Sequence, residues 1–382
     1  MRFSDIIGQP AVKDRLRLMA GGGRMPHALL LLGPEGSGKL AMAMAFAQYV
    51  LCANPNESDA CGKCPSCIKA SKLVHPDLHF SYPTVGSKMT SEAFLPQWRS
   101  AIAENPYLNA NEWLQHIGAE NKQGNITKEE CVNIIRKLSL KTFESTHKVL
   151  ILWLPEYLGK EGNRLLKLIE EPPERTLFVL VAERQELILN TILSRCQIVN
   201  VRALSDEAIQ QGLVQSGVAE AQAAGIAYLA NGNYNEALKL AQHNENDHAR
   251  LFLQWMRNGY QGNPVKMVKW SEDFAGQGRE NQKHFLQYAL HFLREITLLI
   301  AAGPEVKVRL QNQELESAKK MAGVMDLDQA EQLMQLFSDC IFAVERNANP
   351  KVLFLDASIQ MNHILKRKQP DTYKGLSAQR LY

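Results

Sequence analysis

"GPEGSGKLAMA", Gly33 to Ala43, reads as a phosphate-binding loop with one letter changed. In the pattern G-x-x-x-x-G-K-[ST], backbone N–H groups of the glycine-rich turn cradle phosphates, the Lys reaches the β/γ oxygens, and the final Ser or Thr ligates Mg²⁺. Gly33, Gly36, Gly38 and Lys39 are in place to meet a nucleotide's phosphates, but Leu40 stands where the magnesium ligand belongs. So short a pattern also arises by chance, as an ordinary Gly-rich turn, and the flanks decide. Ala28 to Leu32 is a continuous apolar run of strand length, and "KLAMAMAFAQYVL" reads as the helix that should follow.

Outward from the loop, β-type apolar runs recur at Lys148 to Leu154, Thr176 to Ala182 and Gln197 to Val201. Helical patterns such as "EGNRLLKLIEE" separate them, which predicts an α/β fold with a mostly parallel sheet covered by helices. After Val201 the strand signal stops. Ser205, followed by Asp206 and Glu207, is a candidate N-cap that opens an all-helical region. The polar stretch "HNENDHAR", His243 to Arg250, marks a second boundary, and beyond it long amphipathic patterns broken at Gly303-Pro304 and "NANP" predict a helical bundle. The segment from about Phe80 to Thr127 lacks a period and contains "PTVGSKMTS", so it is expected to be an insertion or extended surface loop.

At 382 residues the chain is long enough for two or three domains. A net charge of +3 is nearly balanced, which argues against whole-molecule attraction to nucleic acid. "HILKRKQPDTYK" near the C-terminus is short and reads as a solvated helix end. No run approaches the roughly 20 uninterrupted apolar residues of a membrane span, and "MRFSDIIGQP" has no apolar signal core, so the cytoplasm is the expected location and no membrane partner is expected.

Four of the seven cysteines crowd into Cys52-x₈-Cys61-x₂-Cys64-x₂-Cys67. That spacing lets one chain wrap a tetrahedral ion, with Gly62 and Pro65 suited to the tight turns between ligands. Zn²⁺ is the expected guest, and four soft ligands leave no open coordination position, so the metal would be structural. An iron–sulfur cluster takes the same donors, though nothing else in the chain points to redox chemistry. In the nearby "HPDLH", His75, Asp77 and His79 read as loop and packing residues.

Taken together these features resemble the bacterial clamp-loader subunits of the AAA+ class. "FSDIIGQPAVKDRLRLMAGGGRMPHALLLLGPEGSGKLAMAMAFAQYVLC" is similar to their N-terminal box, phosphate loop and first helix, and the four-cysteine knuckle enters at the family's position. "NRLLKLIEEPPERTLFVLVAE" and "LNTILSRCQIV" resemble the segment that ends in the family's Ser-Arg-Cys signature. The resemblance implies an AAA+ P-loop domain over 1–204, with the zinc knuckle at 52–67 and the insertion at about 80–127. A helical lid over 205–244 and a helical collar for oligomerisation over 245–382 would follow. It also implies a role in loading the sliding clamp of DNA polymerase III onto primed DNA, with other clamp-loader subunits as partners and the clamp and primer–template DNA as indirect ones.

Departures from the family pattern imply that this subunit does not hydrolyse ATP. An active member carries an Asp-Glu pair after the "VLIL"-like strand; here Trp153 and Leu154 take those places, and Glu156 follows Pro155 out of register. The next strand should end in a polar sensor but reads Val181-Ala182-Glu183. Where the lid should read G-x-x-R-[DE]-A, the chain has Gly232-Asn233-Tyr234-Asn235-Glu236-Ala237. What survives is Arg195 of Ser-Arg-Cys, which the resemblance makes an arginine finger acting in trans on a neighbour's nucleotide; its plainer reading is a solvated loop arginine. The alternatives are an active ATPase motor subunit of the same complex, using Glu156 as a displaced carboxylate, and a zinc-stabilised nucleic-acid-binding module. Whether nucleotide still binds stays open, because Gly33, Gly38 and Lys39 could hold phosphates only weakly without magnesium.

Overall fold

Five short runs set the architecture: the three central ones are buried on both faces and so almost wholly apolar, and a parallel neighbour needs a helical crossover. In the computed structural model, which describes residues 1–366 other than 23–24, 120–121, 243–244, 304, 307, 309 and 311, these runs are β1 (Ala28–Leu32), β2 (Leu78–Ser81), β3 (Lys148–Trp153), β4 (Thr176–Ala182) and β5 (Gln197–Asn200). They form one parallel sheet in the order β2-β3-β4-β1-β5. Two of the four runs expected from the sequence, Ala28 to Leu32 and Thr176 to Ala182, match the observed strands outright, and the other two run one residue past them. The strand missed is β2: four residues long, with His79 and Ser81 among them, it carries too little apolar pattern to be read locally.

The chain separates into two compact units, 1–239 and 240–382. In the first, Leu30, Leu150, Leu152, Phe178 and Leu180 form the centre of the sheet core, closed on one side by Ile134 and Leu138 of the helix Lys128–Ser139. Asp77, just before β2, is a loop anchor, as expected. Burial alone would push its carboxyl up, but three backbone N–H groups, from Phe143, Glu144 and Ser145 at 2.6–2.9 Å, outweigh that and hold it below the usual range. His75 is buried beside it, its Nδ1 accepting from the Asp77 N–H.

The segment from Phe80 to Thr127 departs from the surface-loop expectation. Its described part contains the helices Leu95–Glu104 and Ala110–His116 and buries Tyr82, Trp98 and Trp113 completely. Tyr82 stacks on Trp98 with centroids 4.1 Å apart, Trp113 meets Trp98 edge-on at 5.2 Å, and Trp113 Nε1 donates to the Pro83 carbonyl. A few large aromatics dominate burial without needing a helical period, which is why the sequence looked irregular.

After β5 the described residues are helical. Ser205 Oγ accepts from the Ala208 N–H and caps Asp206–Gln215, as its position suggested. The boundary expected at residues 244 and 245 touches 243–244, which lie outside the described residues, as do residues 367–374 of "HILKRKQPDTYK". The second unit contains the helices Glu245–Gln261, Pro264–Ala275, Arg279–Ala302, Asn312–Ala322, Leu327–Glu345 and Pro350–Lys366. An aromatic stack forms its core: Trp255 lies 5.0 Å from Trp270 and 4.9 Å from Phe337, and Trp270 lies 4.8 Å from Phe274. Gly259 lets the first and last of these helices touch, since a Cβ there would sit 2.4 Å from the Met361 sulfur. Asn281–Ala302 is long enough and apolar enough on average to cross a bilayer, but more than half of it is buried inside the bundle and Lys283, Arg294 and Glu295 interrupt it, the pattern of a core helix.

Candidate functional site

The phosphate-type loop sits at the C-terminal end of β1, where ligands meet parallel sheets. Gly33 hydrogen-bonds back to the Ala182 carbonyl, and a Cβ on it would lie 1.9 Å from the Val201 oxygen, so only glycine fits between the ends of β4 and β5. Gly36 and Gly38 adopt positive φ of 67° and 87°, and Gly38 is the N-cap of the helix Lys39–Leu51. The turn therefore has the backbone a phosphate loop needs. Its side chains are committed elsewhere. Lys39 is buried and donates to the Pro34 carbonyl of its own loop, and Ser37 Oγ donates to the same oxygen at 2.7 Å. Burial lowers the lysine to about 8, against the upward pull of Glu183, Glu156 and Glu35. A polyphosphate would meet three carboxylates around one ammonium, an arrangement that repels anions.

The positions where the resemblance places metal and water chemistry are held by packed side chains. Leu40 is 4% exposed and Ala182 wholly buried. Trp153, at the end of β3, lies 5.3 Å from Trp98 and joins the aromatic cluster of the 80–127 segment. Leu154 takes a left-handed conformation, φ 56°, at the turn that follows. Glu156 spends Oε1 on the backbone N–H groups of Glu183 and Arg184, tying the β3 turn to the β4 turn, while its buried Oε2 has no hydrogen-bond partner. Glu35, Asn109, Leu154, Glu156, Glu183 and Arg184 line a cleft of about 230 Å³.

Asn235, at the place of the expected lid arginine, is fully buried; it donates to both Glu112 oxygens at 2.9 and 2.8 Å and accepts from Asn105 Nδ2. Asn105, Tyr107, Asn109 and Glu112 were not singled out by the sequence reading. The only available signal was the capping box of Asn109 and Glu112, which is formed: each side chain accepts from the other's backbone N–H at 2.9 Å.

Arg195 lies between the short helix Asn190–Leu193 and β5. It donates to the Thr191 carbonyl at 2.8 Å and pairs with Glu170 at 3.3 Å, both partners at the surface. Because Gln197 pairs with Leu29, Arg195 is at the N-terminal edge of the sheet, whereas Gly33 is past the opposite edge. At about 3.3 Å per strand residue the two are separated by roughly 15–20 Å along the strands.

The four cysteines converge: the Sγ atoms of Cys52, Cys61, Cys64 and Cys67 all lie within 4.8 Å of one another. Cys52 and Cys64 are 4.0 Å apart and Cys61 and Cys67 3.9 Å, close to the edge of about 3.8 Å of a tetrahedron with 2.3 Å zinc–sulfur bonds. The Sγ atoms of Cys52, Cys61 and Cys64 accept backbone N–H groups from Cys61, Cys64 and Cys67 at 3.3–3.4 Å. The N–H groups of Lys63 and Cys64 draw the Cys61 thiol down to about 6, while burial pushes Cys67 up. A dication is what would deprotonate the set together, and the donors fit Zn²⁺. The knuckle is tied into the domain by Asp59, whose carboxylate accepts from the N–H groups of Phe3 and Ser4 at 3.0 and 2.8 Å.

A strand, glycine loop and helix in a parallel sheet of this order, followed by helices, define a P-loop α/β domain of the AAA+ type, here with an inserted four-cysteine knuckle. The sequence pattern of the family described as DNA polymerase III, delta subunit, matches residues 8–205, over half of the chain, and the chain belongs to that family. It is 27% identical over 239 residues to DNA polymerase III subunit delta' of Bacillus subtilis, covering 62% of this chain and 60% of that protein. It is 28% identical over 248 residues to DNA polymerase III subunit gamma of Buchnera aphidicola, covering 63% and 58%. The chain thus spans about six-tenths of the length of these relatives. Among solved structures, a DNA polymerase III gamma subunit-related protein of Thermotoga maritima aligns over 93% of this chain and 99% of its own, at 14% identity and a TM-score of 0.39.

Proposed function

We propose that the chain is a delta-prime-like, non-hydrolysing subunit of the DNA polymerase III clamp loader, helping to place the sliding clamp on primed DNA. The observation that carries this is the burial of Leu40, Trp153 and Ala182 as core residues at the places where magnesium and water would be handled. Without those ligands, the charge that develops on the transferred phosphoryl oxygens has little to neutralise it. Arg195 acts as an arginine finger on a neighbouring ATPase subunit; its distance from its own loop leaves it no role there, and its surface ties to Glu170 and Thr191 are ones that an incoming phosphate could replace. The residues up to about 204 form the AAA+ domain and 205–244 its lid. The bundle from 245 onward serves as the oligomerisation collar, for which the exposed Val352 and Ile359, seven residues apart on one face of the last described helix, offer apolar surface. The four cysteines hold one structural Zn²⁺. Its partners are gamma/tau-type and delta-type subunits in the cytoplasm, and its contact with clamp and DNA is through them.

A second reading, an active gamma/tau-type motor, is favoured by the gamma subunit's similarity and by the unpartnered Glu156 Oε2 beside the cleft. Steady-state ATP hydrolysis by the purified chain, alone and in complexes reconstituted with the other subunits, separates the two. The first reading expects no turnover by the isolated chain, and Mg²⁺-dependent turnover that is lost in Lys39→Ala would replace it with the second.

A further inference from the structure

The glycines of a phosphate loop exist so that a ligand can approach the backbone. In this chain the chain itself makes that approach. A Cβ on Gly36 would lie 1.7 Å from Asn233 Oδ1, and one on Gly38 3.1 Å from the Tyr107 ring. The Tyr234 N–H donates to the Gly36 carbonyl, fastening the loop to the segment after β5. Tyr107 is 8% exposed; its hydroxyl accepts from the Ile7 N–H at 3.2 Å and its ring meets Tyr234 edge-on at 4.9 Å. The short stretch from Asn105 to Glu112 thus touches the N-terminal segment, the loop and the segment 233–239 at once. Asn109 Nδ2 donates to Glu35 at 2.9 Å, Asn105 and Glu112 hold Asn235, and Glu112 pairs with Lys239 at 2.6 Å. Every one of these residues belongs to the first unit.

We propose that residues 105–112 are a built-in plug that keeps the phosphate loop closed to nucleotide, with Tyr107 as its wedge and Glu112 as its clamp. This rests on the reading of Gly33 to Lys39 as a phosphate loop that no longer serves catalysis. It gives the 80–127 segment a purpose: its tryptophans are the foundation, and the turn between its two helices is the stopper. Closure by the chain's own residues costs no association entropy, so it holds the domain in one nucleotide-independent conformation.

The test uses the full chain and ATP as the probe, with and without Mg²⁺. A site that is open only a small fraction of the time binds with its affinity reduced by that fraction, so unplugging it should tighten ATP binding by at least about tenfold. The expected result is no saturable binding by the wild type, binding by the Tyr107→Ala/Glu112→Gln variant, and loss of that binding when Lys39→Ala is added. A folded double variant that binds no better than the wild type, or whose binding ignores Lys39, overturns the plug. If neither binds, the non-hydrolysing reading stands without it; if the wild type itself binds and turns over ATP, both fall. Should the double variant not fold, hydrogen exchange on the wild type decides: amides of 105–112 and 233–236 should exchange as slowly as the helix Lys39–Leu51 and ignore millimolar ATP. Exchange at the rate of an open loop, or protection that appears only with ATP, overturns the proposal.

Discussion

The cysteine knuckle and the phosphate-type loop are both short motifs inside one domain, yet they differ in what has been kept. In the knuckle all four donors converge and backbone N–H groups point at three of the sulfurs. In the loop the backbone turn is formed while side chains around it bond or pack within the chain: Lys39 to Pro34, Leu40 and Trp153 in the core, Asn235 to Glu112. The difference follows from what each motif contributes to folding. A closed tetrahedral site has no partial form, since losing one thiolate removes binding free energy that is also folding free energy. A strand, turn and helix packs equally well with or without a phosphate, so its chemistry can drift while its shape stays.

The sharpest way to break that comparison is at the metal. One Zn²⁺ per chain is expected by elemental analysis of protein purified without added metal, and Cys64→Ser should remove it and lower stability by several kcal/mol, read as a large fall in melting temperature. Iron with visible absorption, or a variant as stable as the wild type, would put the knuckle in the same class as the loop. Next in size is Arg195→Ala. Folding, zinc content and assembly should be unchanged, while ATP hydrolysis at the adjoining subunit, isolated by disabling the other sites, should fall by on the order of 10³-fold or more. Arg195→Lys should restore only part of it, because an ammonium lacks the planar fork. Equal rates with alanine would make the arginine structural.

Smaller but diagnostic effects belong to the reassigned positions. Trp98→Ala removes the ring on which Tyr82, Trp113 and Trp153 meet and should cost about 3–5 kcal/mol by denaturant unfolding. A cost below about 1 kcal/mol would mean that the 80–127 segment is the surface loop its sequence resembles. At Lys39 the sign is fixed by burial. Its ammonium is lowered to about 8 when folded, against 10.5 unfolded, so between those values the unfolded chain binds one proton more and stability should rise with pH. Lys39→Met should remove that increment from the stability profile, and two parallel profiles would show that the lysine is solvated after all. The smallest expected effect is on clamp loading by complexes containing Lys39→Ala, which should stay near the wild-type rate.

Much of this was legible in the chain. Continuous apolar runs located β1, β3 and β4 because burial on both faces leaves mostly one kind of residue, edge strand β5 showed only through Ile198 and Val199, and the Cys spacing announced the metal site because four donors in sixteen positions have few other uses. The missing ligands at Leu40, Trp153, Ala182 and Asn235 were visible as letters. What the letters could not say is what had moved into their places. That Trp153 is held by Trp98, that Asn235 is clamped by Glu112, and that Tyr107 sits against Gly38 are contacts between residues 55 or more apart in the chain. No local period encodes them, and they exist only once the sheet has brought the segments together. Sequence determined which side chain stands at each of these places, because identity is a property of one position. Tertiary structure decided what fills the vacated space, because packing is a property of pairs that only the folded chain brings into contact.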